Sequence, residues 1–320
     1  MALKAVVVGG GSWGTAFARV LADRDHAVTL ATHRADDAAA IRETGRNPRY
    51  LTHVDLRGID ATTVEDAPTD AAELIVVAVP SRAFREVVDA LPGTAPILGL
   101  SKGLDPDTGE RLSTLVRGRP VAILSGPNMA EEVADGLPGA TVIASDDDAL
   151  ARGLQEAINS GVFRVYTNSD LIGVELCAAA KNVIALAAGG VDGLGLGDNA
   201  KAALITRGLV EMARLGEALG ADPETFAGLA GMGDLIVTCW HPSGRNRRAG
   251  ELIARGASAE EAKAEIGQVV EGLTTAPVLR GLSHRLGIEL PITEGVCAVL
   301  SGMPLHELAA GLMGRRPTGE

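Results

Sequence analysis

Aromatic side chains are nearly absent from this 320-residue sequence: two Trp, two Tyr and four Phe, or 2%. A core must therefore be built from Ala, Val, Leu and Ile, and the composition argues against the stacked aromatic platforms of nucleic-acid binders. Basic charge is short as well. Lys and Arg number 29 against 41 Asp and Glu, a formal net charge of −12, so a general nucleic-acid binder is not expected. Small anionic ligands stay open, because they respond to local rather than total charge. The three cysteines, Cys177, Cys239 and Cys297, lie far apart without a C-x-x-C pair. They read as reduced thiols of a cytoplasmic protein, not as a disulfide framework. The six histidines show no metal-ligand spacing, and no metal is expected. Long apolar runs are missing too. The first is broken by glycines and lacks a basic lead-in and cleavage site, so no signal peptide is expected. The most apolar internal run, Asn182 to Val191, is about half the length of a bilayer span, and no membrane insertion is expected.

Glycine, by contrast, is abundant at 40 residues, and its placement near the N-terminus makes the first motif. Leu3 to Val8 is an apolar, β-branched run that reads as a buried strand, and Trp13 to Leu21 has helical spacing. Between them Gly9, Gly11 and Gly14 fill a G-x-G-x-x-G frame. Gly9 allows the tight turn, Gly11 the approach of a pyrophosphate, and Gly14 the packing of helix on strand. The helix start adds free N–H groups and a positive dipole end. A purely structural glycine turn is the competing reading; the strand before and the helix after favour a dinucleotide.

Strand and helix patterns alternate as far as about residue 167, the mark of a parallel α/β sheet. Ala27 to Thr32 is a second strand, followed by His33 and Arg34 where an NAD-binding fold usually places Asp or Glu. Cations there suit a 2′-phosphate and favour NADPH over NADH, unless Arg34 is simply a solvated surface residue. Further strands are expected over Glu73–Val79, Pro96–Leu100, Val121–Leu124, Thr141–Ala144 and Val162–Tyr166, with a helix over Arg82–Leu91. Pro80, Lys102 and Gly126 fall at strand ends, where open sheets bind ligands. Downstream the pattern is helical, with cap oxygens offered by Asn168-Ser169-Asp170 and by Asp198, Asp222 and Ser258, and the tail from Gly314 is expected to fray. The fold class is thus a Rossmann-like α/β domain with a parallel-rich sheet, residues 1–167, followed by an all-α domain, residues 168–320.

Two clusters in the helical half carry candidate chemistry. The apolar helix expected from Leu171 to Ala188 holds Lys181 near its middle. Burial lowers a lysine's pKa and makes it a general acid or base near neutrality; the bland alternatives are a side chain that reaches solvent or pairs with Glu175. Gly233-Asp234-Leu235 through Thr238 leads to Ser243-Gly244-Arg245-Asn246-Arg247-Arg248. Arginines and backbone N–H groups at a helix start suit a phosphate, against the alternative of a solvated helix face.

Taken in order, Gly9-Gly10-Gly11-Ser12-Trp13-Gly14-Thr15-Ala16, Val79-Pro80-Ser81, Ser101-Lys102-Gly103, Ser125-Gly126-Pro127, Lys181-Asn182-Val183, Gly233-Asp234-Leu235, Arg245-Asn246-Arg247-Arg248 and Val270-Glu271-Gly272 resemble the successive motifs of NAD(P)-dependent glycerol-3-phosphate dehydrogenases of the soluble bacterial type. The resemblance covers nearly the whole chain and implies reversible reduction of dihydroxyacetone phosphate to sn-glycerol 3-phosphate for glycerophospholipid synthesis. It implies Lys181 as proton donor and acceptor, with Lys102 and Asp234 orienting and polarising the substrate. Gly126, Asn128, Asn182, Thr238, Gly244, Arg245 and Asn246 would complete the substrate site, the last two at its phosphate. Gly9, Gly11, Ser12, Trp13, Gly14, His33, Arg34, Pro80, Lys102, Ala130, Arg245, Val269 and Glu271 match cofactor-contact positions, for NADPH or NADH. A homodimer is implied. Two departures touch the substrate side: Asn128 stands where the family often has Ser or Thr, and Gly244 where it often has Ser. Competing readings are a reductase of another 2-keto or 3-hydroxy compound, and an NADP(H)-binding sensor without chemistry.

Overall fold

A computed structural model describes residues 2–308; the tail from Gly314 lies outside the described residues. Its first part runs β1 (Lys4–Val8), α1 (Ser12–Ala22), β2 (Ala27–Thr32), α2 (Ala35–Thr44), β3 (Asp60–Thr63), β4 (Leu74–Val77), α3 (Ser81–Ala90), β5 (Ile97–Gly99), β6 (Val121–Ser125), α4 (Ala130–Ala134), β7 (Gly139–Ala144), α5 (Asp148–Ile158) and β8 (Phe163–Asn168). These strands form one sheet in the order β3-β2-β1-β4-β5-β6-β7-β8. Every neighbouring pair is parallel except β6 with β7. Val6 to Val8 and Leu74 to Val77 are buried throughout, as expected of strands covered by helices on both faces.

The strand order reverses at β1 and β4, so a crevice opens at their carboxyl ends. Because β1, β2, β4, β5 and β6 run the same way, the residues that follow them, Gly9, His33, Pro80, Lys102 and Gly126, line one edge of the sheet. Strand β3 was not expected. Its sequence, Asp-Ala-Thr-Thr, lacks an apolar run, and it forms because the edge of β2 offers unpaired backbone groups.

The second part is helical: α6 (Leu171–Gly193), α7 (Gly197–Ala218), α8 (Pro223–Ala227), α9 (Asp234–Trp240), α10 (Arg245–Ala254), α11 (Ala259–Ile266), α12 (Glu271–Leu286) and α13 (Pro291–Leu300). Asp170, Asp222 and Ser258 cap α6, α8 and α11 with their side chains as expected. Asp198 does not cap α7; it sits inside the first turn. Helix α6 is the hub around which the others pack, and it continues past Gly189 and Gly190 instead of ending there. The glycines serve contact: a Cβ on Gly189 would stand 1.8 Å from the Arg247 carbonyl oxygen on α10. At 23 residues α6 is also long and apolar enough to cross a bilayer, unlike the shorter run read from the sequence, but 89% of its most apolar window is buried inside the protein. The three cysteines are buried and free; burial pushes the Cys239 thiol up to about 12.

Candidate active site

Asp234 opens α9, and its carboxylate, 2% exposed, accepts hydrogen bonds from two ammonium groups. Lys102, in the loop after β5, donates to Oδ2 at 2.7 Å, and Lys181, from the middle of α6, donates to Oδ1. Ser125, the last residue of β6, donates to Oδ2 at 3.3 Å. Thr238, one turn along α9 from Asp234, receives a 2.9 Å bond from Lys181. Lys102 also donates to the Gly126 carbonyl at 3.1 Å. Lys181 therefore neither reaches solvent nor pairs with Glu175, which is held by Arg111 and Ser113.

Burial draws the Lys181 ammonium down to about 7, with Asp234 opposing the fall and Lys102 adding to it. Burial alone would raise Asp234, but Lys102 and Lys181 together hold its carboxyl below the usual range. The result is a buried cluster of two ammonium groups and one carboxylate in which the central lysine is drawn towards neutrality.

A second chain of bonds leads away from this centre. Asn182 donates to the Lys102 carbonyl at 3.0 Å and to Ala178 at 3.2 Å, and accepts from Asn246 at 2.8 Å. Asn246 in turn accepts from the Gly272 N–H at 2.8 Å. Every hydrogen-bonding position of the Asn182 amide except one lone pair is thus used inside the protein, while Asn246 keeps one N–H free. Arg245 and Asn246 are the first two residues of α10 rather than its lead-in, with Gly244 as the N-cap. Arg245 is exposed and donates to the Val269 carbonyl at 3.1 Å. Asn128 donates to Thr141 at 2.9 Å, and its buried Oδ1 has no partner among the described residues.

The glycine turn behaves as a dinucleotide cradle. A Cβ on Gly9 or Gly14 would meet backbone at 2.5 and 1.9 Å, so the protein itself requires those two glycines. At Gly11 nothing lies within 4 Å; that glycine leaves open space for a ligand. Helix α1 begins there without a side-chain cap, so its first N–H groups are free for a pyrophosphate. Trp13 packs edge-on to Phe17 and Phe163, and its buried Nε1 has no acceptor among the described residues. These residues fit a bound dinucleotide. At the end of β2, His33 and Arg34 are exposed, but Arg34 pairs with Asp36 at 2.9 Å, and Asp36 also meets Arg49. Across the crevice, Glu271 at the start of α12 accepts from the Ser81 N–H at 3.0 Å and hydroxyl at 2.6 Å.

Two family models match the chain: the NAD-dependent glycerol-3-phosphate dehydrogenase N-terminus over residues 4–151 and the C-terminus over residues 170–309. The chain belongs to this family. Among its relatives, a glycerol-3-phosphate dehydrogenase [NAD(P)+] of Moorella thermoacetica is 47% identical, covering 98% of this chain and 96% of its own. One of Nocardia farcinica is 45% identical over 98% of both chains. The crystal structure of a Coxiella burnetii glycerol-3-phosphate dehydrogenase superimposes with a TM-score of 0.93 at 37% identity, over 98% of this chain and 99% of that one.

In this NAD(P)-dependent dehydrogenase the two clusters singled out in the sequence meet around Asp234, while His33 and Arg34 stand apart at β2. Three supporting residues escaped the sequence reading. Ser125 was quoted only as the first letter of the Ser125-Gly126-Pro127 motif. Ser81 was quoted only as a motif letter. Asn47, buried, donates to the Gly10 carbonyl and to Thr15, both at 2.9 Å, and so locks the glycine turn. It lies 37 residues from Gly10 in a stretch without pattern.

Proposed function

We propose that Lys181, Lys102 and Asp234 carry out the NAD(P)H-dependent, reversible reduction of dihydroxyacetone phosphate to sn-glycerol 3-phosphate, which feeds glycerophospholipid synthesis. The observation behind this reading is a single buried carboxylate held between two ammonium groups, one drawn to about 7, at the strand edge beside the glycine turn. Bound NAD(P)H supplies the hydride. Lys181 gives its proton to the substrate oxygen as charge develops there, and takes it back in the reverse direction. Lys102 adds a second positive charge beside that oxygen. Asp234 and Thr238 aim the ammonium groups, and Asn182 fixes Lys102 through its carbonyl.

Arg245, the spare N–H of Asn246 and the N–H groups at the start of α10 hold the phosphate. Gly126, Asn128 and Gly244 line the substrate side; the Asn128 Oδ1 is a free acceptor for a substrate hydroxyl. Gly9, Gly11, Ser12, Trp13, Gly14, Pro80, Ala130, Val269 and Glu271 surround the cofactor. His33 and Arg34 favour the 2′-phosphate of NADPH, which would compete with Asp36 for Arg34. Residues 1–167 form the cofactor domain and residues 168–320 the substrate domain. The protein is a cytoplasmic homodimer, a reading supported by its buried, protonated thiols and by exposed Val210, Ile236 and Trp240. A binding-only sensor would have no use for the buried Lys181–Asp234 pair.

The test is oxidation of NADPH and of NADH, followed by absorbance, with dihydroxyacetone phosphate and with unphosphorylated dihydroxyacetone. Turnover confined to the phosphate ester is expected. No turnover with either cofactor, despite binding, would overturn the reading.

A further inference from the structure

We infer that Arg247 is a positioning residue that fixes the distance between the proton-transfer centre and the phosphate site, and so selects for phosphorylated substrate. The inference rests on the phosphate role proposed for Arg245. The Arg247 side chain is only 13% exposed and is held on several sides. Its Nε donates to the His241 carbonyl and one terminal nitrogen to the Pro242 carbonyl, both at 3.3 Å. Its other terminal nitrogen bonds Asp192 in the last turn of α6, and Glu251 on α10 pairs at 3.2 Å with the nitrogen that serves Pro242.

Those two carbonyls belong to the turn 241–244, which joins α9 to α10. Helix α9 carries Asp234 and Thr238, α10 carries Arg245 and Asn246, and α6 carries Lys181 and Asn182. One guanidinium therefore ties together all three elements that hold the two ends of the substrate. Asp192 adds a second argument. A carboxylate in the C-terminal turn of a helix opposes the dipole, so its presence needs compensation, and Lys201 on α7 supplies a further bond at 2.8 Å. Lys201 also lies 4.9 Å over the Trp240 ring, next to His241. The cluster is thus braced on four helices directly behind the turn. The planar fork of arginine serves two carbonyls and a carboxylate at once, which a lysine point charge does not reproduce.

The test compares the full-length protein with R247K, R247Q and D192N, following dihydroxyacetone phosphate, unphosphorylated dihydroxyacetone and the binding of inorganic phosphate. All three variants should raise KM for the phosphate ester and the Kd for inorganic phosphate, R247Q by about tenfold, the worth of one charge-assisted hydrogen bond. R247K should be the mildest. The kcat and the efficiency with unphosphorylated dihydroxyacetone should stay within about twofold, because Lys181 and Asp234 are untouched. Unchanged phosphate affinity in R247K and D192N would overturn the inference, as would equal losses on both substrates. A wild-type protein indifferent to the phosphate group would overturn the phosphate reading along with it.

Discussion

Asp234 divides its two oxygens between Lys181 and Lys102, and the pH behaviour of the enzyme follows from that division. Burial draws Lys181 down to about 7. In the proposed role reduction needs its charged form, so kcat/KM for reduction should fall as pH rises through about 7, while oxidation of glycerol 3-phosphate should fall as pH drops through it. In D234N the carboxylate that favours the ammonium is gone, and the two lysines are left facing each other. The same limbs should move to lower pH, read from the kcat/KM profiles. K181M removes the proposed proton donor while leaving Asp234 paired with Lys102. It should lower kcat about 10²–10⁴-fold with NAD(P)H affinity unchanged; a normal kcat would remove Lys181 from the chemistry. At β2, R34A should raise KM for NADPH more than for NADH, and equal effects would mean that Arg34 only pairs with Asp36.

At the scale of elements, the crossing of α6 and α10 governs the site. Ordinary propensity makes Gly→Ala in a helix stabilising by about 1 kcal/mol. At Gly189 and Gly250 the sign reverses, because a Cβ would meet the Arg247 and Leu186 carbonyl oxygens at 1.8 Å. G189A or G250A should instead cost about 1–3 kcal/mol of overpacking, measured as a lower denaturation midpoint. It should also weaken phosphate binding, since α10 is pushed off Asn182. The same contact explains why the helix read from the sequence was too short. Paired glycines signal a helix end, and nothing local reveals that a neighbouring backbone fills the space.

For the whole molecule, Ser81 and Glu271 are decisive because they join the first residue of α3 to the first residue of α12 across the crevice. A carboxylate receiving two hydrogen bonds joins the two parts of the chain. E271A should raise the Kd for NAD(P)H about tenfold, or about 1.4 kcal/mol, read by titrating tryptophan fluorescence with Trp13 beside the glycine turn. An unchanged Kd would mean that the clamp shapes the fold without serving the cofactor.

The sequence by itself determined the alternating sheet, the glycine turn, the helical second half and the list of charged residues worth attention. Each rests on a short-range pattern: β-branched runs, G-x-G-x-x-G spacing, and caps such as Asp222-Pro223 and Ser258. It even marked Lys181 as unusual, a charge in an apolar helix. Only the tertiary structure decided which partner that lysine has. Glu175 is nearer along the chain, but Asp234 lies 53 residues away and meets it because α9 packs on α6. The antiparallel turn of β7, the edge strand β3 and the roles of Asn47 and Arg247 were likewise settled by packing. Hydrogen-bond partners brought together by folding leave no trace in the local order of residues, because what selects them is the space between elements rather than the spacing within one.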